Sequence, residues 1–130
     1  MKANELRIGN WLNHFNDTVI VQSIKHDPAY YLIWCVKDNG YTSVANRVDG
    51  FDGIPLTEDW LVKFGFELTE DSWFYSLDFD KTKETFKIFP TTNDKFHTLG
   101  LDQFNMNIEY VHQLQNLYFA LTGEELIEKL

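Results

Sequence analysis

The chain has 130 residues and a formal net charge of -9, from 20 acidic and 11 basic side chains; 44% of its residues are hydrophobic and 16% aromatic. Four Trp, six Tyr and eleven Phe supply a core without cross-links, which excludes a disordered chain. The acidic balance excludes a sequence-independent grip on nucleic-acid phosphates, which needs Lys and Arg to displace counterions, and it disfavours anionic membranes.

The first stretch, "LRIGNWLN" over 6–13, opens with alternation of Leu6, Ile8 and Asn10 against Arg7, Gly9 and Trp11, and Gly9 predicts a bend or bulge. After the turn "HFND" comes the β-branched "TVIVQSIKH", with Val19, Val21 and Ser23 opposed to Ile20, Gln22 and Ile24. "YYLIWCVK" is apolar enough for a buried central strand. "DNG" over 38–40 is a hairpin signal, because Asn-Gly accepts positive φ, and "YTSVANRV" returns as the partner strand. The glycines of "DGFDG" close this unit. Several short antiparallel strands joined by tight turns predict a small sheet or an SH3-like half-barrel over about 1–56.

The period then changes. In "IPLTEDWLVKFGFE" Thr57 caps a short helix over 57–66, Glu58 and Asp59 suit its first turn, and Gly65 stops it. "SWFYSLDFD", "ETFKIFP" and "KFHTLGL" predict a second β meander over 72–101. Over 107–130, Tyr110, Leu114, Leu117 and Leu121 recur at helical spacing, widened by Ile108, Val111 and Tyr118. His112, Gln113, Gln115 and Asn116 fill the remaining strip, read as a solvent face. Thr122 with Glu125 matches a capping box, so "EELIEKL" is expected as a second short helix. The fold expected is α+β in a single domain, 1–130: a mostly antiparallel sheet, a short central helix, and a C-terminal helix packed on the sheet.

Chemistry-bearing motifs are sparse. Cys35 is the single cysteine, so no disulfide forms within the chain; it reads as a buried strand residue, and a reducing compartment fits. "MKANELRIGN" lacks the apolar stretch of a secretion signal, and no apolar run approaches the ~20 residues of a membrane span. His14, His26, His97 and His112 have no metal-ligand spacing, so no metal and no cofactor is expected. "DGFDGIP" lacks the lysine of a phosphate loop. The carboxylate pairs Glu70 with Asp71 and Asp78 with Asp80 read as solvated acids.

The aromatic excess carries more. Tyr30, Leu32, Trp34 and Val36 share one face of their strand; Tyr31, Ile33 and Cys35 share the other. Either both faces are covered or one presents rings to a partner. Tyr30, Tyr31, Trp34 and Trp73, with the only two arginines, Arg7 and Arg47, are the candidate ligand-binding residues, since rings stack on bases or apolar partners and guanidinium groups hold anions.

"MKANELRIGN", "GIPLTEDWLVKFGFE" and "YVHQLQNLYFALTGEEL" together resemble a set of small proteins of phages, prophages and mobile elements in gut Bacteroidetes. The resemblance implies a setting, the cytoplasm of a bacterial host, and no catalytic residue. The function expected is a non-enzymatic binding protein, of the counter-defence kind, that binds a protein partner or sequesters a nucleotide-like small ligand. A homo-oligomer suits a chain this short. The alternatives are a nucleic-acid-associated regulator, an acidic mimic of DNA, or an enzyme whose site the fold assembles from distant residues.

Overall fold

Strand formation in the first half follows its β-branched and aromatic runs. The computed structural model describes residues 1–38, 40, 42–68, 75–79, 84–90, 96–99 and 105–128. The chain forms two compact units: Met1–Ile54 with Tyr110–Asn116, and Pro55–Glu109 with Leu117–Leu130.

In the first unit a 3₁₀ turn at Ala3–Glu5 leads to β1 (Trp11–His14), β2 (Asp17–Asp27), β3 (Tyr30–Lys37), β4 (Ser43–Arg47), a second 3₁₀ turn at Val48–Gly50, and β5 (Asp52–Gly53). The sheet is antiparallel, in the order β4-β3-β2-β1-β5. It is an open meander whose last strand returns through a 3₁₀ turn to pair with the first, and it does not close into a barrel. Its core is Leu6, Leu12, Val19, Val21, Ile33, Cys35 and Phe51.

Two bulges set which side chains reach that core. Gly9, at φ +96°, and Asn10 together oppose Val21: the Val21 carbonyl accepts from Gly9 N at 2.8 Å, and the Asn10 carbonyl accepts from Val21 N at 2.9 Å. The second bulge falls between Val21 and Ser23, where the register against β3 shifts. It corrects the simple alternation expected of β2. The extra residue turns Ile24 inward with Val19 and Val21, and moves Ser23 to the face of Trp34.

The second unit contains α1 (Glu58–Lys63) and a meander of β6 (Glu67–Leu68), β7 (Tyr75–Phe79), β8 (Glu84–Pro90), β9 (Phe96–Leu99) and β10 (Asn105–Ile108), ordered β10-β9-β8-β7-β6. Strand β10 adds to the meander expected over 72–101. Thr57 caps α1, its hydroxyl accepting from Trp60 N at 3.4 Å. Gly65 (φ +90°) ends it: Phe66 N donates to the Leu61 carbonyl and Gly65 N to that of Val62, both at 2.9 Å. Leu61 and Phe66, which this turn brings near each other, are both buried. Tyr75 is buried, and burial and a hydrogen bond to the Glu58 carboxylate push its hydroxyl up to about 12.

The final helix, α2 (Val111–Thr122), is continuous and contributes residues to both units. Gln113 reaches back to cap it, its Oε1 accepting from Tyr110 N at 3.1 Å. The second helix expected from the capping box does not form over 123–128. The Thr122 hydroxyl donates to the Tyr118 carbonyl at 2.7 Å and accepts from Glu124 N at 3.1 Å, so it closes a turn instead of opening a helix. Gly123 (φ +75°) directs the chain out of the helix, and Leu126 is buried in the non-helical segment that follows. Among the described residues, no helix is long and apolar enough to cross a membrane.

Candidate binding face

The polar strip of α2 is not a solvent face. Gln115 and His112 are buried, as is Asn10. Gln115 Oε1 accepts from Trp11 N at 3.0 Å, and its Nε2 donates to the Gly9 carbonyl at 3.1 Å. Asn116 Oδ1 accepts from Asn10 Nδ2 at 2.8 Å and from Arg7 Nη1 at 3.3 Å, while its Nδ2 donates to the Glu5 carbonyl at 2.7 Å. Asn10 Oδ1 in turn accepts from Arg7 N at 2.7 Å. Of two amides on one helix turn, Gln115 thus satisfies backbone groups on either side of the Gly9 bulge and Asn116 the carbonyl of Glu5 in the preceding 3₁₀ turn. The amides are there for structure.

His112, one turn earlier, is 1% exposed. Its ring stacks on Tyr110, with centroids 5.7 Å apart and planes at 13°, and its Nε2 lies 4.0 Å from a Glu5 carboxylate oxygen. Burial pushes its pKa below the ordinary histidine value and outweighs the pull of Glu5 in the opposite direction. The ring is therefore neutral at neutral pH. Burial also pushes the Cys35 thiol up to about 12, which leaves it a protonated core residue and not a nucleophile.

The sheet face away from the core of the first unit has a different character. Across β2, β3 and β4 the register gives rows of Lys25, Leu32 and Arg47, then Ser23, Trp34 and Ala45, then Ile20, Val36 and Ser43; Tyr30 faces Asp27 beyond the first row, and Trp11 extends the third. Trp34 is 46% exposed. Arg47 lays its guanidinium over the Tyr30 ring, 4.3 Å from the centroid, a cation–π contact that holds both side chains upright. Among the described strand residues of this face the charged groups are Lys25, Arg47, Asp27 and Asp52: the two cations share the row beside Trp34, while Asp27 lies a row further along and Asp52 on β5 at the other edge.

Of the residues singled out in the sequence, Tyr30, Trp34 and Arg47 come together on this face. Tyr31 lies on the opposite side, exposed at the strand end and stacked on His26 at 4.5 Å. Arg7 belongs to the clamp with Asn10 and Asn116. Trp73 lies outside the described residues.

Sequence reasoning passed over Phe15. It is 84% exposed at the tip of the β1–β2 hairpin and holds φ +56°, a conformation costly for a bulky side chain. An aromatic in a turn position that favours glycine was the signal available. Among the described residues, no group of three or more His, Cys, Asp or Glu could hold a metal ion. No protein-family model, curated protein or solved structure matches the chain.

Proposed function

We propose that this chain is a non-enzymatic binding protein of the phage or mobile-element kind, engaging a protein partner through the Trp34 face of its first sheet. One observation carries the reading: a half-exposed tryptophan stands in a strand row beside Ala45, with Arg47 ordered on Tyr30 a row away. Tryptophan and arginine are the side chains that most often anchor protein interfaces. A sheet face offers area, whereas small-molecule sites are usually concave, so a protein partner is favoured over a nucleotide. Lys25 and Arg47 favour a partner surface with acidic groups around an apolar anchor. The resemblance to phage and mobile-element proteins supports the setting.

The test pairs the wild-type chain with Trp34→Ala. Thermal unfolding and circular dichroism of the variant should match wild type, because the ring contributes little to the core. Capture of a host protein by the wild-type chain should be lost in the variant. A thermal-shift screen against mononucleotides and cyclic dinucleotides should be flat. A shift of several degrees that disappears in Trp34→Ala would assign the face to a nucleotide-like ligand instead. Unfolding of Trp34→Ala would make the residue structural and sink the proposal.

A further inference from the structure

Strand β4 is an edge of the first sheet, and the hydrogen-bond parity of the hairpin fixes where its backbone points. Lys37 N donates to the Thr42 carbonyl at 2.7 Å, so 37 and 42 form a hydrogen-bonded pair. In an antiparallel ladder such pairs alternate. Cys35 with Val44 and Ile33 with Asn46 are therefore the bonded pairs of this register, and Val36 with Ser43 and Trp34 with Ala45 are not. The N–H and C=O groups of Ser43 and Ala45 thus point away from β3, towards the open edge. Both residues are exposed. At the far end the edge is closed: Asn46 Oδ1 accepts from Arg47 N at 2.8 Å, and the chain turns into Val48–Gly50.

Side chains obey the same parity. Ser43 and Ala45 project on the face of Trp34, and Ala45 alone lies between Trp34 and the edge in that row. A residue paired with Ala45 from outside would project on the same face, with a single methyl group between it and the indole. Arg47 and Lys25 stand one row along.

From this juxtaposition we infer that β4 takes up an extended segment of the partner protein as a sixth, antiparallel strand, with an acidic residue beside Arg47 and an apolar or aromatic one within reach of Trp34. The inference rests on the Trp34 face being the binding surface. Backbone bonds to Ser43 and Ala45 supply the register, and Trp34 and Arg47 supply the selectivity, a division typical of strand addition. The occupant is a segment of another protein and not a second copy, because a second β4 has no acidic side chain to set beside Arg47 and two chains of net charge -9 repel each other.

The experiment selects peptides from a displayed library of random twelve-residue sequences against the full chain. The selected peptide is then synthesised in its native form and with alternate backbone nitrogens methylated, which keeps every side chain and removes the donors. The protein is tested as wild type, Trp34→Ala and Ala45→Pro. Proline at 45 deletes only the outward N–H and leaves the β3–β4 bonds in place, and edge strands accept it. Peptides rich in Asp and Glu are expected, weakened at least tenfold by Trp34→Ala, by Ala45→Pro and by methylation in one of the two alternating phases. Binding that needs Trp34 but tolerates methylation in both phases overturns strand addition and leaves the face standing. Binding indifferent to Trp34→Ala, or no enriched peptide, overturns both. A wild-type dimer that Ala45→Pro renders monomeric would give the edge to a second copy and overturn the inference.

Discussion

Asn10 and Asn116 lie 106 positions apart and share a hydrogen bond of 2.8 Å, the amide nitrogen of the first donating to the amide oxygen of the second. Asn10 is buried, and its own oxygen accepts from Arg7 N. Truncating it takes this acceptor from Arg7 N and leaves Asn116 Oδ1 with the longer bond from Arg7 Nη1. Asn10→Ala should cost about 2 kcal/mol, in the range expected when a buried group loses its partner. Asn10→Asp should be no better, because its carboxylate would face the Asn116 and Gln115 oxygens. Urea denaturation followed by tryptophan fluorescence measures both, and equal midpoints for wild type and Asn10→Ala would refute the role of the clamp.

His112 predicts a pH dependence. Its pKa is lowered in the fold, so the unfolded chain binds the proton more readily. Above about 6.5, the ordinary histidine value, both states are neutral and the residue contributes no pH dependence. As pH falls below that value stability is lost, until the folded-state pKa is passed. Urea midpoints at pH 7.5 and 5.5 should differ less in His112→Phe than in wild type. An unchanged difference would show that other groups dominate this window.

Much of this organisation is legible in the residues, and the failures share a cause. Thr57, Gly65 and Gly40, the last at φ +79°, act locally, so a short window reveals them. Bulges, in contrast, are properties of a pair of strands. The bulge between Val21 and Ser23 reverses the side assigned to Ser23 and Ile24, and period-2 counting cannot anticipate it. The amides of α2 looked like a solvent strip because their partners, Gly9 and Trp11, lie about a hundred residues away. Within the candidate face, the alternation that groups Tyr30 with Trp34 follows from the chain alone. The addition of Arg47 needed the β3–β4 register.

Gly53 is held in place by its neighbours. A Cβ there would come 2.7 Å from two carbons of the Tyr110 ring and 3.1 Å from His112 Cε1. Gly53→Ala should destabilise by about 1–3 kcal/mol, the usual cost of overpacking. Calorimetric melting of the variant tests this, and a melting temperature within a degree of wild type would mean that the two rings move aside freely.

Phe15 points the other way. Its positive φ costs an L-residue roughly 1–2 kcal/mol, and its high exposure leaves little burial to lose. Phe15→Gly should raise stability by up to about 1 kcal/mol once the greater freedom of glycine in the unfolded chain is deducted. Guanidinium denaturation measures the change. A loss of more than 1 kcal/mol would mean that the edge contact of Phe15 with His14 outweighs the backbone strain.

The clamp also has a consequence in time. A chain made from its N-terminus exposes β1 to β5 well before Tyr110–Asn116 exists. Until that half-helix arrives, the Gly9 carbonyl and Trp11 N must rely on water. Residues 55–109, which lie between, belong to the other unit; Leu56 N donates to the Glu109 carbonyl at 3.0 Å, so the ends of this stretch meet. The hydrogen bonding of the first sheet is therefore completed by a helix segment about a hundred residues further along the chain.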